Sequence, residues 1–254
     1  VPPAQLPTVK GLLAEAEVAR RRGNTKAVYA SYQQLADLFN GLSDQRTAIY
    51  FLEKCAEIAR LTSDGPGEHG ATRALGVAHE ALGELETAIR YYQKLLNLAQ
   101  AAADDDEEKR ASEHLVAAYQ SMAASADAAG ELAQALAYRE KCLTASAATG
   151  DQALQGKAHF ELGQAHEKLE SAENLRKAVS HYKPYMAACE ATEDTEGQGA
   201  ACAALARAFQ RLQDGTASQQ YLQRFLQLAT TSGKLSAQVR RCCCRRACCS
   251  PPPS

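Results

Sequence analysis

Tryptophan is absent from these 254 residues, only two methionines occur, and aromatic side chains make up 6% of the chain. A core built on large rings is therefore excluded. The 46% of apolar residues must fill space with small and branched side chains, alanine foremost, as close helix packing requires. No apolar run approaches the roughly 18 residues of a membrane-spanning helix, so no membrane partner is expected. Nor does a signal peptide stand at the start. The chain opens on Val1 rather than Met, as a fragment or a trimmed chain does. An excess of one charge is missing too: 28 Lys+Arg stand against 30 Asp+Glu, a net charge of −2 with a pI near 6.3. Nothing there points to nucleic acid.

Paired cysteine spacing is also lacking. Cys55, Cys142, Cys189 and Cys202 fall at helical positions and read as buried thiols of a reducing compartment. Cys242, Cys243, Cys244, Cys248 and Cys249 crowd beside Arg240, Arg241, Arg245 and Arg246 in an acid-free end. Side chains of adjacent cysteines diverge on a regular backbone, which disfavours a tetrahedral zinc site. Lipidation of the cluster is a second minority reading, and an irregular end over 233–254 is the expectation.

What the chain does have is self-similarity. Leu75 to Ala99 reads as two amphipathic helices joined at Gly83-Glu84, and versions recur at Leu35, Leu115, Leu162 and Leu205. Leu35-Ala36…Phe39…Ala48 lies over Leu75-Gly76…His79…Ala88 at an offset of 40. A period near 40 marks an all-α solenoid of helical hairpins, in which no repeat buries its apolar face without its neighbour. About five repeats are expected, at 25–66, 67–106, 107–150, 151–194 and 195–232, after a lead-in and capping helix within 1–24.

In chain order, Val1 to Pro7 is expected to be extended, with a helix from about Thr8 to Arg22 ended by Gly23-Asn24. Tyr50, Phe51 and Leu52 are assigned to the apolar face of the next hairpin's second helix. The segment from Thr62 through Gly67 is assigned to an inter-repeat turn. Asp104 to Glu108 reads as a solvated acidic first turn, favourable to the helix dipole. In the third repeat Gly130 arrives seven residues late, nearly two helical turns, so both helices are expected to lengthen. Pro184 falls inside a helix and should kink it.

The residues Leu75-Gly76…His79…Ala88…Tyr92 and Leu162-Gly163…His166…Ala178…Tyr182 resemble the tetratricopeptide signature in its longer variety. The resemblance covers about Ala30 to Thr231, with Arg139 and Leu222 standing where the second aromatic belongs. A narrower resemblance, to a ciliary branch of that family, lies in Glu196 to Ala206 followed by Tyr221-Leu222-Gln223-Arg224-Phe225. It implies a structural or adaptor subunit of the ciliary axoneme, associated with dynein or its anchoring. The alternative is a cytosolic adaptor for cargo or cell polarity, similar to kinesin light chain.

Catalytic strings are present only in outline. Gly65-Pro66-Gly67-Glu68-His69-Gly70 satisfies G-x-G-x-x-G but lacks the preceding strand a dinucleotide site needs. His79-Glu80 and His166-Glu167 begin like H-E-x-x-H, yet Gly83 and Glu170 hold the last position. No cofactor, metal or enzymatic role is expected, and the partners are expected to be other proteins. In a tetratricopeptide array the first helices line the binding face. Counting two residues either side of each repeat leucine gives Gln33, Asp37, Arg73, Val77, Glu113, Phe160, Gln164 and Arg207 as its candidates, with Ala117 and Ala203. Gln33 and Asp37 stand where a carboxylate-clamp chaperone site needs Lys and Asn, which argues against a reader of acidic C-terminal tails. An extended or helical segment of a larger complex fits the mixed face.

Overall fold

The computed structural model describes residues 2–231, and among these every regular element is helical. The cysteine- and arginine-rich end lies outside the described residues. By internal contacts the chain divides at Gly150 into two compact units, so the array is described as two.

The first unit opens with a 3-10 turn (Pro3–Gln5) and continues through α1 (Leu6–Arg21), α2 (Thr25–Gly41), α3 (Gln45–Leu61), α4 (Gly65–Ala81), α5 (Leu85–Ala102), α6 (Asp105–Ala129) and α7 (Leu132–Ala148). Each of these helices packs on the next, and α4 also reaches α6. The second unit holds α8 (Gln152–Lys168), α9 (Ala172–Ala191), α10 (Thr195–Arg211) and α11 (Gly215–Thr231), again packed in succession.

The turns explain why the helices stop and restart where they do. One residue adopts a left-handed conformation, and the next caps the following helix: Gly23 before Asn24, Ser43 before Asp44, Ser63 before Asp64, Ala103 before Asp104, Glu193 before Asp194 and Gln213 before Asp214. The cap side chain accepts the N–H three residues on, as in Asp44 Oδ1 from Thr47 at 3.2 Å. Its own N–H donates five residues back, as from Asp44 to the Phe39 carbonyl at 2.9 Å. One short turn thus closes the preceding helix and opens the next. At Gly83 (φ 77°) glycine adopts that conformation without the Cβ clash that the serines accept.

The repeat leucines face inward as a set within each unit. Leu35, Leu75 and Leu115 are at most 3% exposed in the first unit, as are Leu162 and Leu205 in the second. Around Leu35 and Leu75 pack Ala36, Phe39, Ala48, Phe51, Leu52 and Ala78. Around Leu205 pack Ala178, Val179, Tyr182, Met186, Ala201, Cys202, Ala204 and Ala208. Burying such a side chain stabilises by about 1.5–3 kcal/mol. In both clusters alanine lets the helix axes approach.

Glycine has a sharper role at Gly76 and Gly163. A Cβ on Gly76 would meet the Tyr92 ring at 2.4 Å, and one on Gly163 the Tyr182 ring at 2.5 Å. Each ring is fully buried and fills the space left by the missing side chain. Each hydroxyl then donates to a carboxylate on the facing helix, Tyr92 to Glu80 at 2.7 Å and Tyr182 to Glu167 at 2.8 Å. At the matching place in the third hairpin, Arg139 forms an ion pair with Asp127 instead.

Several expectations are corrected. The first α-helix begins at Leu6, because Pro7 in its first turn lacks only a donor that would be unpaired anyway. Gly65 to Gly70 lie in α4, not in a turn: Asp64 caps the helix and Pro66 sits in its first turn. Tyr50 is exposed, and Phe51 and Leu52 take the core positions. The two extra turns of the third hairpin go entirely into α6, with 25 residues, while α7 keeps 17. Pro184 lies inside α9 (Ala172–Ala191), where the sequence places it.

All four described cysteines are buried. Burial, followed by the charge of Asp37, pushes the Cys55 thiol up to about 12 from an ordinary 9.0. Burial also raises Cys189 and Cys202. Only thiolates react, so Cys55 in the folded chain carries roughly 1000-fold less reactive form than when unfolded. Iodoacetamide labelling read by peptide mass spectrometry should leave Cys55, Cys142, Cys189 and Cys202 unmodified until urea is added. Rapid native labelling of these four would contradict their burial.

Candidate partner-binding faces

The candidate residues follow from the helix period. Two residues before or after an inward leucine lie well round the helix from it. Gln33 and Asp37 on α2, Val77 on α4 and Glu113 on α6 are exposed, as are Gln164 on α8 and Arg207 on α10. Arg73 and Phe160 are half-buried. The structure thus presents one set of exposed first-helix positions in the first unit and another in the second.

Arg73 is committed within the fold. Its Nη1 donates to both oxygens of Glu107, at 2.7 and 2.9 Å, tying α4 to α6. Glu107 is 5% exposed and also accepts from Arg110 Nη1 at 3.1 Å. The acidic run from Asp104 is therefore only partly a solvated first turn. Asp104 caps α6 by accepting the Glu107 N–H, while the Glu107 side chain folds inward. Nothing in the spacing of acids announces this, because the partner lies 34 residues away. Nearby, the His114 ring stacks on Tyr92 with centroids 4.7 Å apart, and burial lowers its affinity for a proton.

Phe160 likewise belongs to the edge of the core, its ring 4.6 Å from that of Tyr185 and 5.7 Å from that of Tyr182. Arg207 remains available at the surface. Its Nε faces Glu167 Oε1 at 3.5 Å, a loose contact with the guanidinium about half exposed. One turn on, Arg211 donates to the Glu167 carbonyl at 3.2 Å and faces Glu170 at 3.4 Å. Arg211 and Glu167 complete a charged surface cluster that a two-residue offset from the leucine does not pick out.

The motif fragments are accounted for by packing. His79 Nδ1 faces Glu84 Oε2 at 2.8 Å, while Glu80 receives the Tyr92 hydroxyl. His166 Nδ1 faces Asn174 Oδ1 at 3.3 Å, while Glu167 receives the Tyr182 hydroxyl. Both His-Glu pairs hold one hairpin's helices together. Among the described residues, no group of three or more His, Cys, Asp or Glu is arranged to hold a metal ion, and no helix is long and apolar enough to cross a membrane.

A tetratricopeptide repeat family model matches residues 71–110, which run from within α4 through α5 into the start of α6. Tetratricopeptide repeat protein 29 of Macaca fascicularis is 27% identical over 224 residues, covering 85% of this chain and 46% of that protein. The Rattus norvegicus protein of the same name is 33% identical over 92 residues, 35% of this chain and 20% of that one. The chain therefore spans less than half the length of the curated relatives it matches. Among solved structures, the apo form of RapI superposes with a TM-score of 0.50 at 14% identity, covering 86% of this chain and 58% of that one. That likeness concerns the fold alone.

Proposed function

Taking as premise that this is a tetratricopeptide-repeat protein, we propose that it is a non-enzymatic scaffold subunit of the ciliary axoneme, associated with dynein or its anchoring machinery. Tetratricopeptide repeats bind other proteins, and the exposed positions of α2, α4 and α6 in the first unit, and of α8 and α10 in the second, are suited to that. The observation that carries the axonemal reading is the match over 85% of the chain to tetratricopeptide repeat protein 29. The stretch from Glu196 to Phe225, which resembles a ciliary branch of the family, supports it. The buried thiols suit a reducing interior.

The test is affinity capture of the tagged full chain from isolated axonemes and, in parallel, from cytosol, read by mass spectrometry. Enrichment of dynein or docking components in the axonemal capture is expected. Recovery only from cytosol, with motor or polarity proteins, would sink the axonemal reading in favour of the cytosolic adaptor.

The faces are tested separately. Asp37→Lys with Glu113→Lys reverses two exposed charges of the first unit, and Arg207→Glu reverses one in the second. Arg73 is left intact because it is part of the fold. A change of charge at a contacting position is expected to cost about tenfold or more in affinity for the captured partner. Unchanged binding by both variants, with circular dichroism showing intact helices, would place the interface on the second helices.

A further inference from the structure

Two imidazoles of the second unit, His159 and His166, lie against a third, His181. His159 on α8 and His181 on α9 meet Nδ1 to Nδ1 at 3.1 Å. The ring of His166, two turns further along α8, lies flat beside that of His181, with centroids 5.6 Å apart and planes 4° from parallel. Its own Nδ1 faces Asn174 Oδ1. Two like ring nitrogens at that separation share a hydrogen bond only when one carries the proton and the other a lone pair. If both were protonated, two N–H groups and two positive charges would face each other across the helix pair.

The influences acting on His181 are burial and the two other imidazoles. On α8, Glu167 is engaged by Tyr182 and faces Arg207 and Arg211 of α10. Glu161 lies two residues beyond His159, about 200° round the helix. Lys157 and Lys168 on α8 and Lys183 on α9 are exposed cations, and Lys177 of α9 pairs with Glu173. On the remaining side of α9, Tyr185 leans on Phe160. Burial first, then the charge of His159 and His166, pulls His181 down to about 4 from an ordinary 6.5, and burial lowers His159 as well.

We infer that the contact between His159 and His181, with the His166 ring beside it, is an acid-sensitive joint between α8 and α9, which holds while the two facing nitrogens share one proton and loosens when both rings are protonated. The inference goes beyond the scaffold reading, because it stands whether or not a partner binds. Its sign follows from linkage. Below pH 6.5 the unfolded or opened form binds more protons than the closed one, so the joint's stabilisation is complete above that value and is lost as pH falls toward 4.

Hydrogen exchange of the full chain, read by mass spectrometry at about pH 7 and about pH 5 and corrected for intrinsic rates, tests this. From His181 alone, α8 and α9 should open roughly 20-fold more often at the lower pH. Helices α2 and α3, which contain no histidine, should change far less. Parallel loss of protection in both regions would overturn the inference, as would an NMR titration giving His159 and His181 ordinary values near 6.5. His181→Phe keeps a stacked ring but removes one proton site, and should diminish the pH response of α8 and α9 to the smaller part due to His159. An undiminished response in that variant would also overturn the joint. Should it fail to fold, the titration of the unaltered chain decides.

Discussion

Arg73→Ala is expected to lower the stability of the first unit by about 3 kcal/mol, the low end for breaking a buried ion pair by removing one partner. Its guanidinium side is 36% exposed, but the Glu107 side chain is only 6% exposed, so the loss strands a carboxylate where water barely reaches. Arg110 also contacts Glu107, yet its side chain is 58% exposed, and Arg110→Ala should cost no more than about 1 kcal/mol. Because two compact units need not unfold together, the measurement is urea-dependent hydrogen exchange of amides in α4, α5 and α6. Adding Glu107→Gln to Arg73→Ala should recover part of the loss, since a neutral amide is easier to bury than an unpaired charge. Equal effects of Arg73→Ala and Arg110→Ala would show that solvent reaches Glu107 freely.

Gly76→Ala should destabilise the same unit by about 1–3 kcal/mol, whereas Gly70→Ala in the same helix should stabilise it by about 0.5–1 kcal/mol. Both changes gain the same helix propensity, so the opposite signs isolate packing. A Cβ at Gly70 meets nothing within 4 Å, while one at Gly76 would lie 2.4 Å from the buried Tyr92 ring. The ring cannot retreat without breaking its hydrogen bond to Glu80 and its stack on His114. Gly163→Ala against Tyr182 should repeat the loss in the second unit. Urea-dependent hydrogen exchange of the amides in α4 and α5, and in α8 and α9 for Gly163→Ala, settles the signs, and a stabilising Gly76→Ala would mean that the ring has room to move.

How much was legible before the structure depends on how local the physics is. The inward leucines, the glycine turns and the helical hairpins are set by interactions within one or two turns, and so the period near 40 was enough to find them. The start of α4 was misplaced because Gly65-Pro66-Gly67 looks like a breaker in composition, while Asp64 and the tolerance of a first turn for proline make it a beginning. The candidate face was legible as exposed positions, but Arg73 and Phe160 were not separable from the rest. Both are drawn inward by partners, Glu107 and Tyr185, that are 34 and 25 residues away.

By itself the sequence determined that this protein is a set of helical pairs with a shared apolar side, because helix period, capping residues and turn chemistry act over a few residues. Only the tertiary structure decided which charged side chains are free and which are spent. Glu107 turns inward to Arg73, His181 faces His159, and Arg207 stays at the surface, because each outcome depends on which helix happens to lie opposite.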